Sequence, residues 1–349
     1  MNTLTSRGLA RRTVLAAATL AAGAVALMTA GCGPNAAGAA GPAPVSAAPV
    51  STAPPASTPS SAPVSSSPPV AGSVGSVAGL PGWLYYADGD RLLRLTGTGT
   101  TTVLSAGGYS ANVSPDGQRI AFVDTGNNVV VSDRDGKHRR TVLTGSVGAG
   151  FEPVWSADSG TLLAVKNLGS GKVSFGYVTV ASGTFTPLAH QLTDAIHPLW
   201  SADGRHLGYA TGTCRLGVAD ADGGNARVVP VFGDLHNPAN PQRRRSCDPY
   251  SLSADGRLMA VNQRTGDEPD GDIGRDIFAN AVVDTRTGAN VSLPVTGAIS
   301  AILFLPTGEI LVRSGSQLTL LNPDRTIKIQ VKEPAVVRQS RLLAYAQVG

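Results

Sequence analysis

Few groups among the 349 residues could do chemistry: three cysteines, five histidines and two runs of opposite charge. Glu152, His197 and Asp248 are of the types that move protons as general acid and base. A set of carboxylates and an imidazole also ligates metals. Arg243, Arg244 and Arg245 form a compact cationic run, answered by Asp267, Glu268, Asp270, Asp272 and Asp276. Such runs either receive a partner that bridges them, or pair with each other and stay solvated. Asp270-Gly271-Asp272 offers the oxygen ligands that calcium takes, without the spacing of a calcium loop. Cys32 ends an apolar run, whereas Cys214 and Cys247 lie in the body of the chain.

Several chemistries are excluded by spacing. There is no Gly-x-Ser-x-Gly elbow, the nearest sequence being Gly108-Tyr109-Ser110-Ala111, and no α/β segment to host a catalytic triad. The histidines fit no metalloprotease pattern and no glycine loop suits a phosphate, so neither a cofactor nor a resident metal is expected. The formal charge of +4 is concentrated at the N-terminus, where Arg7, Arg11 and Arg12 have no acidic neighbours. The rest of the chain is close to neutral with its charges interspersed, which leaves no footprint for nucleic acid. A monomer is expected.

The elements that must position these residues are repeats. Ser114-Pro115-Asp116-Gly117, Ser201-Ala202-Asp203-Gly204 and Ser253-Ala254-Asp255-Gly256 each precede a short apolar run. Ser156-Ala157-Asp158-Ser159-Gly160 reads as a copy with one extra residue, and Leu305-Pro306-Thr307-Gly308 as a worn one. Successive copies lie 42 to 52 residues apart, the size of one four-stranded unit. Ser and Asp bond neighbouring backbone donors and Gly supplies positive φ, so each copy is a hairpin turn rather than a site. A second turn, such as Asp133-Arg134-Asp135-Gly136 or Asp220-Ala221-Asp222-Gly223, follows two strands later.

This pattern resembles the TolB-like propeller family, whose repeats read roughly W-S-P-D-G-x-x-I-A-F before a strand ending in D-x-D-G. Pro153-Val154-Trp155-Ser156 and Pro198-Leu199-Trp200-Ser201 match best, and the resemblance covers residues 83–349. The fold class implied is all-β: a β-propeller, six blades of four-stranded antiparallel sheet, with seven the alternative. Residues 83–104 make a first blade lacking its inner strand, and residues 335–346 resemble an inner strand plus its neighbour that closes the ring. TolB has a separate α/β domain before its propeller, where this chain has low-complexity sequence. The Tol–Pal role is therefore not carried over, and what the resemblance implies is a rigid extracytoplasmic binding platform.

The N-terminus reads as an address. In residues 1–31, Arg11-Arg12 leads an Ala-rich apolar run, which resembles a Tat signal, with Sec export the alternative. Thr29-Ala30-Gly31-Cys32 resembles a lipobox in which Cys32 is lipidated and anchors the mature chain to the membrane; an uncleaved signal anchor is the competing reading. Residues 32–79 are almost wholly Ala, Pro, Ser, Gly and Val, a composition that cannot bury enough surface to offset its ordering entropy. They are read as a disordered tether, and residues 80–349 as the propeller.

In a four-stranded blade the Ser-x-Asp-Gly turns share one face, so the long loops 231–248 and 263–277 fall on the other. Cys214 and Cys247 map to that long-loop face, and an oxidising compartment permits their disulfide, two buried thiols being the alternative. Ser110, Glu152, His197, Asp248 and Ser300 begin the inner strands and are expected to ring the channel mouth there. The function expected is an extracytoplasmic, membrane-anchored lipoprotein that binds or scaffolds a protein or cell-envelope ligand. The alternative is a propeller lyase or hydrolase with Glu152, His197 and Asp248 as acid–base groups.

Overall fold

The computed structural model describes residues 74–75, 79–148, 150–268 and 278–347. The residues expected to form an export signal, Cys32, and most of those expected to form a tether lie outside the described residues. The first strand, β1 (Val74–Gly75), precedes blade one, which contains β2 (Trp83–Asp88), β3 (Arg91–Thr96) and β4 (Gly99–Leu104). Blade two is β5 (Asn112–Val113), β6 (Arg119–Val123), β7 (Val129–Asp133) and β8 (Arg140–Leu143). Blade three is β9 (Val154–Trp155), β10 (Thr161–Gly169), β11 (Lys172–Thr179) and β12 (Thr184–Pro187). Blade four is β13 (Ala195–Trp200), β14 (His206–Thr211), β15 (Leu216–Asp220) and β16 (Arg227–Val228). Blade five has β17 (Pro249–Leu252), β18 (Leu258–Val261) and β19 (Ala281–Asp284), its fourth strand reduced to a bridge between Val283 and Asn290. Blade six is β20 (Ile299–Phe304), β21 (Ile310–Ser314), β22 (Gln317–Leu321) and β23 (Ile327–Lys332).

The last strand, β24 (Arg341–Ala346), is antiparallel to β2 and supplies the missing inner strand of blade one. The ring therefore closes at six blades, and each innermost strand lies against the next around the axis. Residues 335–337, expected to add a further strand, form a 3₁₀ turn instead. Strands packed between two blades are apolar on both faces: β21 is buried at every position. The largest apolar cluster, with Tyr86, Ile302, Leu311 and Leu320, spans blades one, five and six and so covers the closure.

The repeated turns work as the residue types dictate. In blade two the Ser114 hydroxyl donates to Asp116 Oδ1 (2.5 Å) and accepts the Arg119 amide (2.9 Å), while Gly117 has φ +67°. Blade three follows the same register with Ser159, not Gly160, in the left-handed position (φ 59°). There is no extra residue in that copy. Ser159 is buried, and its hydroxyl accepts the Asp116 amide of the neighbouring turn (3.2 Å), a contact that glycine could not make.

A buried charge network holds the segment leading into β24. Arg313 donates through Nε (3.0 Å) and Nη2 (2.7 Å) to Glu333 Oε2, and Tyr86 donates to Glu333 Oε1 (2.9 Å). The remaining Arg313 donors reach the carbonyls of Ser340 and Arg338 at 2.8 and 2.9 Å. Burial pushes the Glu333 carboxyl up, against the pull of Arg313 and Tyr86.

Glu333→Gln should leave Arg313 buried without its counter-charge and cost about 3–5 kcal/mol in urea unfolding. A cost typical of a surface site would show that the network does not hold the closure. The turns give a pH signature. Asp158 is held below its unfolded value of 3.8 by the Ser156 hydroxyl and the Gly160 amide. At Asp255 burial pulls upward, but the Ser253 hydroxyl and the Arg257 amide prevail and hold it low. A carboxyl depressed on folding contributes fully above its unfolded value and loses that contribution as pH falls through the folded value. Ser156→Ala with Ser253→Ala should cost about 1 kcal/mol per turn near neutral pH. The deficit should shrink in thermal melts taken below pH 3.8.

Candidate functional site

The inner strands end at the Ser-x-Asp-Gly turns, and there they enclose an axial cavity of about 450 Å³ with walls from all six blades. Most wall backbone and side chains are already satisfied across the ring. Trp155 Nε1 donates to the Asn112 carbonyl (2.9 Å), Ser251 Oγ to the Ile302 carbonyl (2.7 Å), and Tyr250 Oη to the Leu342 carbonyl. Trp200 holds the position in blade four that Trp155 holds in blade three, yet its indole N–H is buried without a partner in the structure. Its ring stacks on Tyr177 at 5.0 Å. Trp200, Tyr250, Phe304 and Tyr345 give the wall its aromatic surface.

The charge of the wall is one-sided. Asp116 and Asp158 line it and no Lys, Arg or His does. The nearest guanidinium, Arg119, lies behind the wall, 3.8 Å from Asp116 Oδ2 and over the Trp155 ring.

On the long-loop face the expected residues fall into two separate groups. Ser110 and Glu152 share a cavity of about 410 Å³ with Asp90, Asp124 and Tyr109. Ser110 Oγ accepts the Val123 amide (3.0 Å), and Glu152 Oε1 accepts the Gly150 amide (3.1 Å). His197 and Asp248 form the other group, each about 3% exposed. His197 Nδ1 lies 2.7 Å from the Cys247 carbonyl and 3.2 Å from Asp248 Oδ1. Ser300 takes a structural role, its carbonyl accepting the Ala279 amide. None of these five residues lines the axial cavity. Among the described residues no three His, Cys, Asp or Glu side chains gather as a metal-holding group.

The two charged loops meet each other. Arg243 pairs with Asp267, and Arg245 and Arg264 exchange backbone hydrogen bonds. Arg245 Nη1 donates to the Gly266 carbonyl (2.9 Å) and Nη2 to the Glu268 carbonyl. Arg244 reaches Asn290 Oδ1 (2.9 Å) and lies over the Phe232 ring. Glu268 Oε2 accepts the Thr265 amide (3.0 Å). Asp270, Asp272 and Asp276 lie outside the described residues. Cys214 and Cys247 are joined as a disulfide, Cα atoms 4.2 Å apart, at the base of the 231–248 loop. Phe232, Asn240 and Ser246 are buried within that loop.

Sequence reasoning looked to the long-loop end and did not find the axial cavity. Its signal was present in the paired Trp-Ser repeats and in the worn copy at 305–308, whose apolar residues line the cavity.

No known sequence family matches the chain, and no curated protein is significantly similar to it in sequence. Among solved structures the fold is similar to TolB from Acinetobacter baumannii, with TM-score 0.47 and 16% identity over 76% of this chain and 65% of that one. The chain thus spans less than two thirds of that TolB. It is also similar to a putative TolB from Agrobacterium tumefaciens (TM-score 0.45, 18% identity, 60% and 76% of the two chains). An oligogalacturonate lyase in complex with manganese gives TM-score 0.44 and 15% identity over 69% and 70%.

The disulfide closes a separation of 33 residues. Chain entropy sets its contribution at about 3–4 kcal/mol. Reduction, or Cys214→Ser with Cys247→Ser, should lower stability by that order and speed hydrogen exchange in 231–248 while leaving the inner strands protected. Titration of two free thiols in the native, unreduced protein would overturn the bond.

Proposed function

We propose that the protein is an extracytoplasmic binding protein, tethered to the membrane through Cys32, that holds its ligand in the axial cavity. The observation that carries this reading is the cavity itself. Its volume is in the range that encloses small ligands or anchoring side chains, its walls come from every blade, and four aromatic rings line it. A closed ring keeps such walls in place without ligand, so little ordering entropy opposes binding. The export signal in the sequence and the disulfide suit an oxidising compartment. The acid–base alternative needs Glu152 beside His197 and Asp248. Glu152 instead shares a cavity with Ser110, and the other two are buried as a pair. Binding is therefore favoured.

Photo-crosslinking tests this reading. A photoreactive phenylalanine analogue replacing Ala157, in the cavity wall, should trap a discrete adduct in intact cells, and one replacing Thr213, on the long-loop face, should not. An adduct from position 213 alone, or from neither, would overturn the axial site.

A further inference from the structure

The worn repeat changes the shape of the axial site. Leu305-Pro306-Thr307-Gly308 closes a turn one residue shorter than the other copies: the Leu305 amide donates to the Glu309 carbonyl (2.9 Å), four residues on, where the Ser114 amide reaches the Arg119 carbonyl, five residues on. Its side chains present Leu305 and Thr307 where other blades present Ser and a capping Asp, and the Thr307 hydroxyl turns to Glu309 Oε2 at 3.0 Å. Beyond it, between blades five and six, lies a second cavity of about 450 Å³. Phe304 and Leu305 line both cavities, so the two adjoin across these side chains and together make an interrupted groove. The reduced fourth strand of blade five borders the outer half, where Leu258, Val291, Ile310 and Pro323 form an apolar floor.

The rim of the groove is acidic on balance. Asp116 and Asp158 stand at the axial end, and Asp255, Asp284 and Asp324 at the outer end. Of the two lining cations, Arg257 is paired with Asp284 at 3.0 Å, and Arg325 sits at the outermost position. The Ser hydroxyls and turn amides that hold Asp158 and Asp255 low keep both ionised at any physiological pH. A long apolar floor with carboxylates along its edge matches a chain with apolar side chains on one face and cations on the other.

We propose that this groove binds an extended segment of a partner protein that carries basic side chains next to apolar ones. The apolar side chains pack on Phe304 and Leu305, and the cations meet the carboxylates at either end. This deepens the binding function proposed above and rests on it. The chain's own residues 67–73 are a rival occupant. β1 runs parallel to β23, with Val74 opposite Gln330, but residues 67–73 carry no charge.

The test is fluorescence anisotropy of the mature chain with three labelled peptides of equal length: one alternating Lys and Leu, one alternating Glu and Leu, and one with the sequence of residues 67–73. The Lys-Leu peptide should bind, the Glu-Leu peptide at least about tenfold more weakly. Asp158→Asn with Asp255→Asn, which keeps each turn acceptor and removes the charge, should lower the melting temperature modestly and, at temperatures where the ring stays folded, weaken Lys-Leu binding about tenfold. Leu305→Ser, which removes the apolar side chain common to both cavities, should weaken it at least about tenfold in protein whose spectra show the ring folded. Equal binding of both charged peptides, or tightest binding of the 67–73 peptide, would overturn the proposal. Should none bind while position 157 still crosslinks a ligand, the groove assignment falls and the axial site stands. Loss of both would remove the binding reading as well.

Discussion

Everything in this molecule depends on a strand borrowed from the far end of the chain. Blade one begins with β2, whose inner partner is β24, so no blade-one sheet is complete until the last described strand has returned. Propeller blades pack only against their neighbours, so a ring with an unfilled inner strand would expose the apolar cluster shared by blades one, five and six. Antiparallel pairing alone does not locate the returning strand, because the period of side-chain alternation admits slipped registers. The Arg313, Glu333 and Tyr86 network supplies the location. Its donors are spent on carbonyls of the turn just before β24, and its charges are tolerable only when each is met by the other.

Closure explains why the axis is open. Six inner strands held by closure on one side and by cross-ring hydrogen bonds on the other cannot collapse to fill the centre. The bonds from Trp155, Ser251 and Tyr250 tie neighbouring or next-neighbouring inner strands, and so fix the diameter as well as the order of the blades. The cavity is thus a consequence of geometry before it is a site. What makes it a candidate site is chemistry that geometry does not require: four aromatic rings, and carboxylates with no lining cation.

The architecture was legible in the sequence because turn chemistry is local. A Ser, an Asp and a positive-φ residue within four positions describe the same backbone wherever they occur, and the copies in blades two, four and five could be read directly. Blade three misled because Gly160 looked like the turn glycine, whereas Ser159 takes that conformation, held by a contact with another blade that no local reading contains. The Cys214 and Cys247 bond could be reached by elimination. The separation of Glu152 from His197 and Asp248 could not, because it depends on where each long loop folds over its blade. The axial cavity was hidden for the same reason: its lining alternates with core residues along strands that read as uniformly apolar.

The two faces use their charge in opposite ways, and this is the firmest reason to look for function at the short-turn end. On the long-loop face the arginines of 243–245 are committed to Asp267, Asn290 and loop carbonyls, and the disulfide fixes the base of that assembly. Arg243 meets a carboxylate, while Arg244 and Arg245 spend donors on neutral acceptors inside the loops, which stiffens the assembly and leaves fewer donors for a partner. On the other face the carboxylates of the turns are oriented by their own serines for a structural purpose, yet they remain exposed and ionised around an apolar hollow. Where the repeat is faithful, its polar groups are turned inward upon the turn. Where it degenerates, with Leu305 and Thr307 in place of Ser and Asp, a second hollow adjoins the first. A repeat under structural constraint alone would gain from keeping the Ser and Asp, since each such hydrogen bond contributes about 1 kcal/mol. At this turn both are gone, and Leu305 instead gives the wall common to the two cavities an apolar side chain, as binding of an extended apolar and basic segment would require.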